Sequence, residues 1–184
     1  MRFRFDRPAF VLTFASLTLA TSAVAASYFP SAPGTTWRLS NGEVQKLLQS
    51  VVMRGVRVTP LQHVIKGKLV SEDLLEFRTG GVFLRGTRVG GKVTWYEPPL
   101  TVYPSSPLSP GQSWTSTSGG LTITARVLGQ EALVTEAGRF NALVIRNDVT
   151  TVSGASSSSF SYFVPGLGTV RYVSGNGSTV DLLK

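Results

Sequence analysis

The sequence predicts an all-β protein built as a strongly curved antiparallel sheet, an open half-barrel. Short runs rich in Val, Thr, Leu, Phe and Tyr are separated by Asn41-Gly42, Gly80-Gly81, Gly90-Gly91, Gly119-Gly120, Gly138 and Asn176-Gly177. Such pairs supply the positive φ that tight hairpin turns need. Several runs alternate in character, as in Thr122-Ile-Thr-Ala-Arg-Val-Leu128, the period-2 pattern of a sheet with one buried face. The chain has no cysteine, so burial alone must hold the fold.

Residues 1–25 read as a signal peptide. Arg2, Arg4 and Arg7 precede an apolar, small-residue run from Pro8 to Leu19, and Ala23-Val24-Ala25 follows. That is the small-x-small pattern a signal peptidase accepts. The rival reading is an uncleaved anchor helix, but the run is short of the roughly 20 residues that cross a bilayer and is broken by Thr and Ser. Cleavage near Ala25 or Ala26 leaves a product that does not span a membrane and is periplasmic or extracellular. No cysteine follows the site, so a lipid anchor is not expected.

Residues 26–184 are the size of one β domain, divisible into halves 28–98 and 103–184. Strands are expected near 36–40, 56–59, 62–70, 73–79, 82–89, 92–97, 121–129, 131–136, 139–149, 160–164, 169–173 and 179–183. The segment 43–53 is ambiguous. Val44, Leu47, Leu48 and Val51 recur at helical spacing, whereas Val51-Val52 and the Arg-Gly-Val-Arg-Val that follows favour extended chain, which is preferred here. Ser153–Ser159 reads as a mobile polar loop. Pro98–Pro110 reads as a connector, because proline removes ladder donors.

The chain writes Pro-Gly-x-x-Trp twice, at Pro33–Trp37 and Pro110–Trp114, after the aromatic-Pro pairs Phe29-Pro30 and Tyr103-Pro104. Proline presets φ, and Gly34 or Gly111 accepts the positive-φ position of a turn. Each copy is therefore expected to be a corner where the chain enters the sheet, with Trp37 and Trp114 as largely buried plugs.

The catalytic inventory is thin. His63 is the only histidine and lies in an expected strand, which favours a structural role. No Gly-x-Ser-x-Gly elbow is present, and no set of His and carboxylate residues has metal-ligand spacing. Glu72, Asp73 and Glu76 form the densest acidic group. In extended chain Glu72 and Glu76 share a face while Asp73 points away, so these read as turn and solvent positions rather than a glycosidase pair. Gly86–Lys92 has the spacing of a phosphate loop, but Val93 stands where Ser or Thr would hold magnesium, and a strand follows instead of a helix. No catalytic residue, metal or cofactor is expected.

Charge points to few partners. Removal of Arg2, Arg4, Arg7 and Asp6 takes the formal +8 to about +6, and the remaining arginines are scattered. This reads as a solvated surface, or as attraction to an anionic envelope. Nucleic acid is not expected. Aromatic residues interleave with the arginines. In Trp95-Tyr96 and Tyr162-Phe163 neighbours face opposite ways in a strand, so one of each pair meets a second buried face or a groove. The candidate ligand lining is Trp95, Tyr103, Tyr162 and Phe163, with Arg85 and Arg88 at the rim. The function expected is non-enzymatic: an exported envelope or secreted protein that binds lipid or another apolar ligand on a concave sheet face. The alternative is a scaffold that pairs with other envelope proteins through sheet edges.

Tyr28-Phe29-Pro30, the two Pro-Gly-x-x-Trp copies, Glu97-Pro98-Pro99-Leu100, Ala137-Gly138-Arg139-Phe140 and Tyr162–Val170 together resemble a group of small exported bacterial proteins, mostly uncharacterised. Those proteins carry Tyr-Phe-Pro, Pro-Ala-Gly-x-Phe and Pro-Gly-x-Gly-x-Val patterns. The chain departs by placing Glu136 where Pro is usual and by lacking a lipobox cysteine. The resemblance implies a curved antiparallel sheet similar to the half-barrels of lipoprotein carriers, and no settled activity. It also implies that Gly138, Phe140, Pro165, Gly166 and Gly168 are turn or core positions.

Overall fold

The computed structural model describes residues 28–184. The expected signal segment lies outside the described residues. The fold is all-β and antiparallel, as the hairpin punctuation requires, and it contains two facing sheets that are not joined into a closed ladder. The first sheet holds β1 (Thr36–Arg38), β2 (Glu43–Leu47), β3 (Val51–Met53), β4 (Val56–Ile65), β5 (Lys68–Arg78), β6 (Gly81–Val89) and β7 (Lys92–Pro104). Its order is β1-β2-β4-β5-β6-β7, with β3 following β2 along the same edge of β4. The second sheet holds β8 (Ser113–Ser118), β9 (Leu121–Thr135), β10 (Gly138–Thr151), β11 (Ser156–Val164), β12 (Gly168–Ser174) and β13 (Thr179–Asp181), in sequential order. Each sheet is thus a meander, and the chain passes from one to the other after Pro104.

The ambiguous segment 43–53 is extended, as two short strands. The break between them has a cause on β4. Pro60 has no N–H to donate, and it faces residues 48–50, where its carbonyl accepts from the Leu48 N–H at 2.9 Å. One edge of β4 therefore changes partner from β2 to β3 at its proline.

Four other boundaries differ from expectation. The expected strands 56–59 and 62–70 become β4 and the start of β5, because the chain turns at Lys66-Gly67, both at positive φ. The expected connector at Pro98 is still strand: β7 runs through both prolines, where the register with β6 jumps from Gly86↔Trp95 to Leu84↔Leu100. The bulge absorbs the missing donors. Residues 121–135 are one strand, in which Leu128 is the extra residue of a bulge opposite Val144 and Ile145. The serine run is largely strand, since Ser156–Ser159 pair with Asn147–Thr150.

Two apolar clusters hold the sheets. One joins Leu108, Ala125, Val127, Leu143, Ile145 and Phe163, with Tyr28, Phe29, Tyr103 and Trp114 packed against it. The other joins Leu39, Leu133, Ala142, Val170 and Leu182, with Trp37, Phe140 and Tyr162 against it. One lateral seam is stitched by an isolated Leu39–Leu182 bridge and by Ser40 N–H donating to Asp181 O at 2.8 Å. At the other, Thr101 N–H donates to Ser116 Oγ at 2.9 Å.

Candidate functional site

The twin corners set one end of the site. Gly34 and Gly111 have φ of 89° and 86°, in turns closed by Thr35 N–H to Ala32 O and Gln112 N–H to Ser109 O. Gly34 N–H donates to Leu47 O and Gly111 N–H to Val127 O, each at 2.8 Å. Leu47 N–H then returns to Thr35 O, and Val127 N–H to Gln112 O. The two corners therefore share one hydrogen-bond pattern, in which a positive-φ glycine docks the turn onto a fully buried aliphatic residue of the second strand after it.

The tryptophans differ from expectation, because both are half-buried rather than buried plugs. Trp37 donates Nε1–H to Leu167 O at 2.7 Å and also borders the cavity between the sheets. Trp114 packs on the first cluster, and its buried Nε1 has no hydrogen-bond partner among the described residues. The other predicted turn and core positions sit near these ends. Gly138 opens β10 and Gly166 lies in the β11–β12 turn after exposed Pro165, both at positive φ, and Phe140 packs on the second cluster. Gly168 is buried, and a Cβ there would lie 3.4 Å from Trp37 Nε1 and 3.6 Å from Pro30 Cγ.

Between the sheets lies a cavity of about 540 Å³, within the usual range for a small-molecule site. Strand alternation builds its wall. Glu43, Gln45 and Leu47 face it from β2, Leu61 and His63 from β4, Asp73, Leu75 and Phe77 from β5, and Val82 and Leu84 from β6. The second sheet contributes Asn147, Ser159, Ser161, Phe163, Thr169 and Tyr172. Exposed Asn41, on the β1–β2 turn, also borders the cavity, so it reaches the surface there.

The lining is polar at one end and apolar along the rest. At the polar end His63, on the central strand of three, bridges two carboxylates: Nδ1 lies 2.7 Å from Glu43 Oε1 and Nε2 lies 3.2 Å from Asp73 Oδ2. Burial disfavours the imidazolium, but the hydrogen bonds and charges of Asp73 and Glu43 outweigh it and raise the His63 pKa. Burial likewise opposes the Glu43 carboxylate, yet its bonds to His63 and Gln45 hold its pKa below the ordinary value. With both ring nitrogens donating to carboxylates, the imidazolium keeps no lone pair for proton abstraction or for a metal. Across the cavity Tyr172 lines the wall from β12, with 36% of its surface exposed. Its phenol is held neutral first by burial and then by the nearby Glu43 and Asp73 charges. Tyr103, raised above the ordinary phenol range by burial, bonds Thr169 Oγ1 at 3.3 Å.

Of the six residues proposed from sequence to bind ligand, Tyr103 and Phe163 come together on this wall, with ring centroids 4.9 Å apart. The other four lie elsewhere. Trp95 stacks over Gly86 and under the Arg54 guanidinium, 5.4 Å from its ring centre. Arg85 and Arg88 pair with Glu76 and Glu72, on the opposite face of β5 from Asp73. Glu72, at 4% exposure, is therefore a buried ion-pair partner rather than a solvent position. Tyr162 packs on the second cluster, near Arg171.

Sequence reasoning missed the Glu43–His63–Asp73 group because its members come from three strands. The signal available was alternation: Glu-x-Gln-x-Leu at 43–47, Leu-x-His at 61–63 and Asp-x-Leu-x-Phe at 73–77 each put polar and apolar residues on one face.

No family model matches the chain, and no curated protein matches it. One similar solved structure, from Bacteroides fragilis, carries the name "putative exported protein with YmcC-like fold". It is 15% identical, with 85% of this chain and 97% of that one covered, at a TM-score of 0.46.

Proposed function

We propose that this is an exported, non-enzymatic protein that binds a lipid or comparable apolar small molecule in the cavity between its two sheets. The observation that carries the reading is the cavity wall itself. Leu61, Leu75, Phe77, Leu84 and Val102 line it while remaining only partly buried, so apolar side chains face open space where a filled core would cover them. A ligand that covers them gains about 25 cal/mol for each Å² of apolar surface removed from water. The polar end supplies the few placed groups that orient a ligand. Export rests on the N-terminal segment. The non-enzymatic character rests on a histidine with both nitrogens engaged and on the thin catalytic inventory.

Organic extraction and mass spectrometry of protein purified from its native envelope or medium test the proposal. The expected result is one class of apolar molecule carried by the wild type and lost from Leu75→Trp, which fills the cavity. Wild-type protein that yields no such molecule contradicts it.

The scaffold reading draws on one feature, β3. Its Val51 and Val52 are 44% and 67% exposed, and among the described residues β4 is its only ladder partner. Crosslinking in intact cells that captures one defined protein through β3, with no lipid recovered, favours that reading.

A further inference from the structure

We infer that the cavity is built for an apolar molecule with a cationic head group, an amine or a quaternary ammonium, and against fatty acids and other anionic lipids. The inference rests on the binding reading above and names the chemistry of its ligand.

The chain carries a formal +8, yet no Lys or Arg side chain lines the cavity among the described residues. Arg38 and Lys46 alternate with lining residues and are exposed. Arg85, Arg88 and Arg171 are paired with Glu76, Glu72 and Asp181. What the cavity does contain is Glu43 and Asp73, with side chains 16% and 32% exposed, and His63 between them at 20%. With His63 protonated the group still carries a net negative charge, and with His63 neutral it carries two. An anionic head group at this end would meet two carboxylates and no cation.

Asp73 also keeps capacity for a new donor. It accepts from His63 at 3.2 Å and from Thr87 Oγ1 at 3.3 Å, both long, while a carboxylate offers about four acceptor positions. The titratable groups facing this end are Glu43 on β2, His63 on β4, Asp73 on β5, Tyr103 on β7 and Tyr172 on β12. Thr169 on β12 and Gln45 on β2 add neutral polar groups. Tyr172 also offers an aromatic ring, and aromatic faces attract ammonium groups. The low-dielectric walls around the carboxylates focus their field into the cavity, in opposition to the positive field of the whole chain.

That opposition makes the test sharp. A neutral naphthylamine probe is bound to the protein and displaced by dodecyltrimethylammonium, dodecanol or dodecanoate, each below its micelle concentration. The overall positive charge favours dodecanoate; the cavity favours the ammonium. The expected result is displacement by the ammonium at a concentration about tenfold lower than for dodecanoate. Glu43→Gln with Asp73→Asn should remove most of that preference for the ammonium over dodecanoate. The wild-type ranking stands even where the double variant does not fold. Equal or tighter displacement by dodecanoate overturns the inference and leaves the binding reading in place. A wild-type protein that takes up no probe overturns the binding reading, and the inference falls with it.

Discussion

Phe29 and Tyr103 stack with ring centroids 5.1 Å apart and planes 13° from parallel. Each immediately precedes a proline, and each stands shortly before one of the two Pro-Gly-x-x-Trp corners. Both rings also pack on Phe163, at 5.7 and 4.9 Å. The repeated aromatic-Pro pair thus makes one interior contact between the approaches to the two sheets, at the edge of the cavity. Phe29→Ala and Tyr103→Ala should each destabilise by about 3–4 kcal/mol. A double-mutant cycle in urea should return a coupling of about 0.5–1.5 kcal/mol. Additive losses would mean that the stack contributes nothing beyond burial.

The matched corners predict matched costs. A Cβ at Gly34 or Gly111 would meet no atom within 4 Å, so alanine there suffers only its positive φ, about 1–2 kcal/mol at either site. Gly81 is different, since a Cβ there would lie 2.2 Å from the Tyr103 carbonyl oxygen. Gly81→Ala should cost more than about 3 kcal/mol, because backbone must shift as well. Thermal or urea unfolding of the three variants checks the ranking.

The two indoles predict a contrast. Trp37→Phe deletes a donor that reaches Leu167 O at 2.7 Å and leaves that carbonyl unserved. Trp114→Phe deletes a buried donor with no hydrogen-bond partner among the described residues. The first change should cost about 1 kcal/mol more than the second in urea unfolding, although the atoms removed are the same.

The bridge at His63 predicts a pH window. The raised pKa of His63 means that its contribution is fully present below its ordinary value of 6.5 and is lost as pH rises through the higher folded value. The depressed pKa of Glu43 means that its contribution is present above 4.5 and is lost as pH falls through the lower folded value. Together they are strongest between 4.5 and 6.5. At about pH 5.5, His63→Gln should destabilise by about 1–3 kcal/mol through the loss of two charge-assisted hydrogen bonds. By about pH 9 much of that difference should be gone. Urea titrations at the two pH values measure it.

The sheet class, most hairpin turns and the twin corners were legible in the sequence because they are local: glycine pairs fix turns, and alternation fixes faces. Strand continuity was less legible. Pro60, Pro98 and Gly129 look like strand ends, yet each is tolerated where the register changes or the ladder bulges, which only the partner strand reveals. The candidate site was legible in part. Tyr103 and Phe163 stand on the cavity wall, but the choice between Tyr162 and Phe163, or Trp95 and Tyr96, depends on bulges that reset which face a side chain takes. Arg85 shows the same effect: it is the extra residue of a bulge and turns toward Glu76. The Glu43–His63–Asp73 group was least legible, because its chemistry exists only once β2, β4 and β5 lie side by side.

The central claim, that the space between the sheets is a ligand site, is tested most directly by fluorescence titration of a neutral apolar probe. The titration compares wild type, Leu84→Trp inside the cavity, and Trp95→Leu at a half-buried position outside it, beside Arg54. Saturable binding to wild type and to Trp95→Leu, with at least about a tenfold loss in Leu84→Trp, is the predicted result. Unchanged affinity in a folded Leu84→Trp variant would contradict the claim.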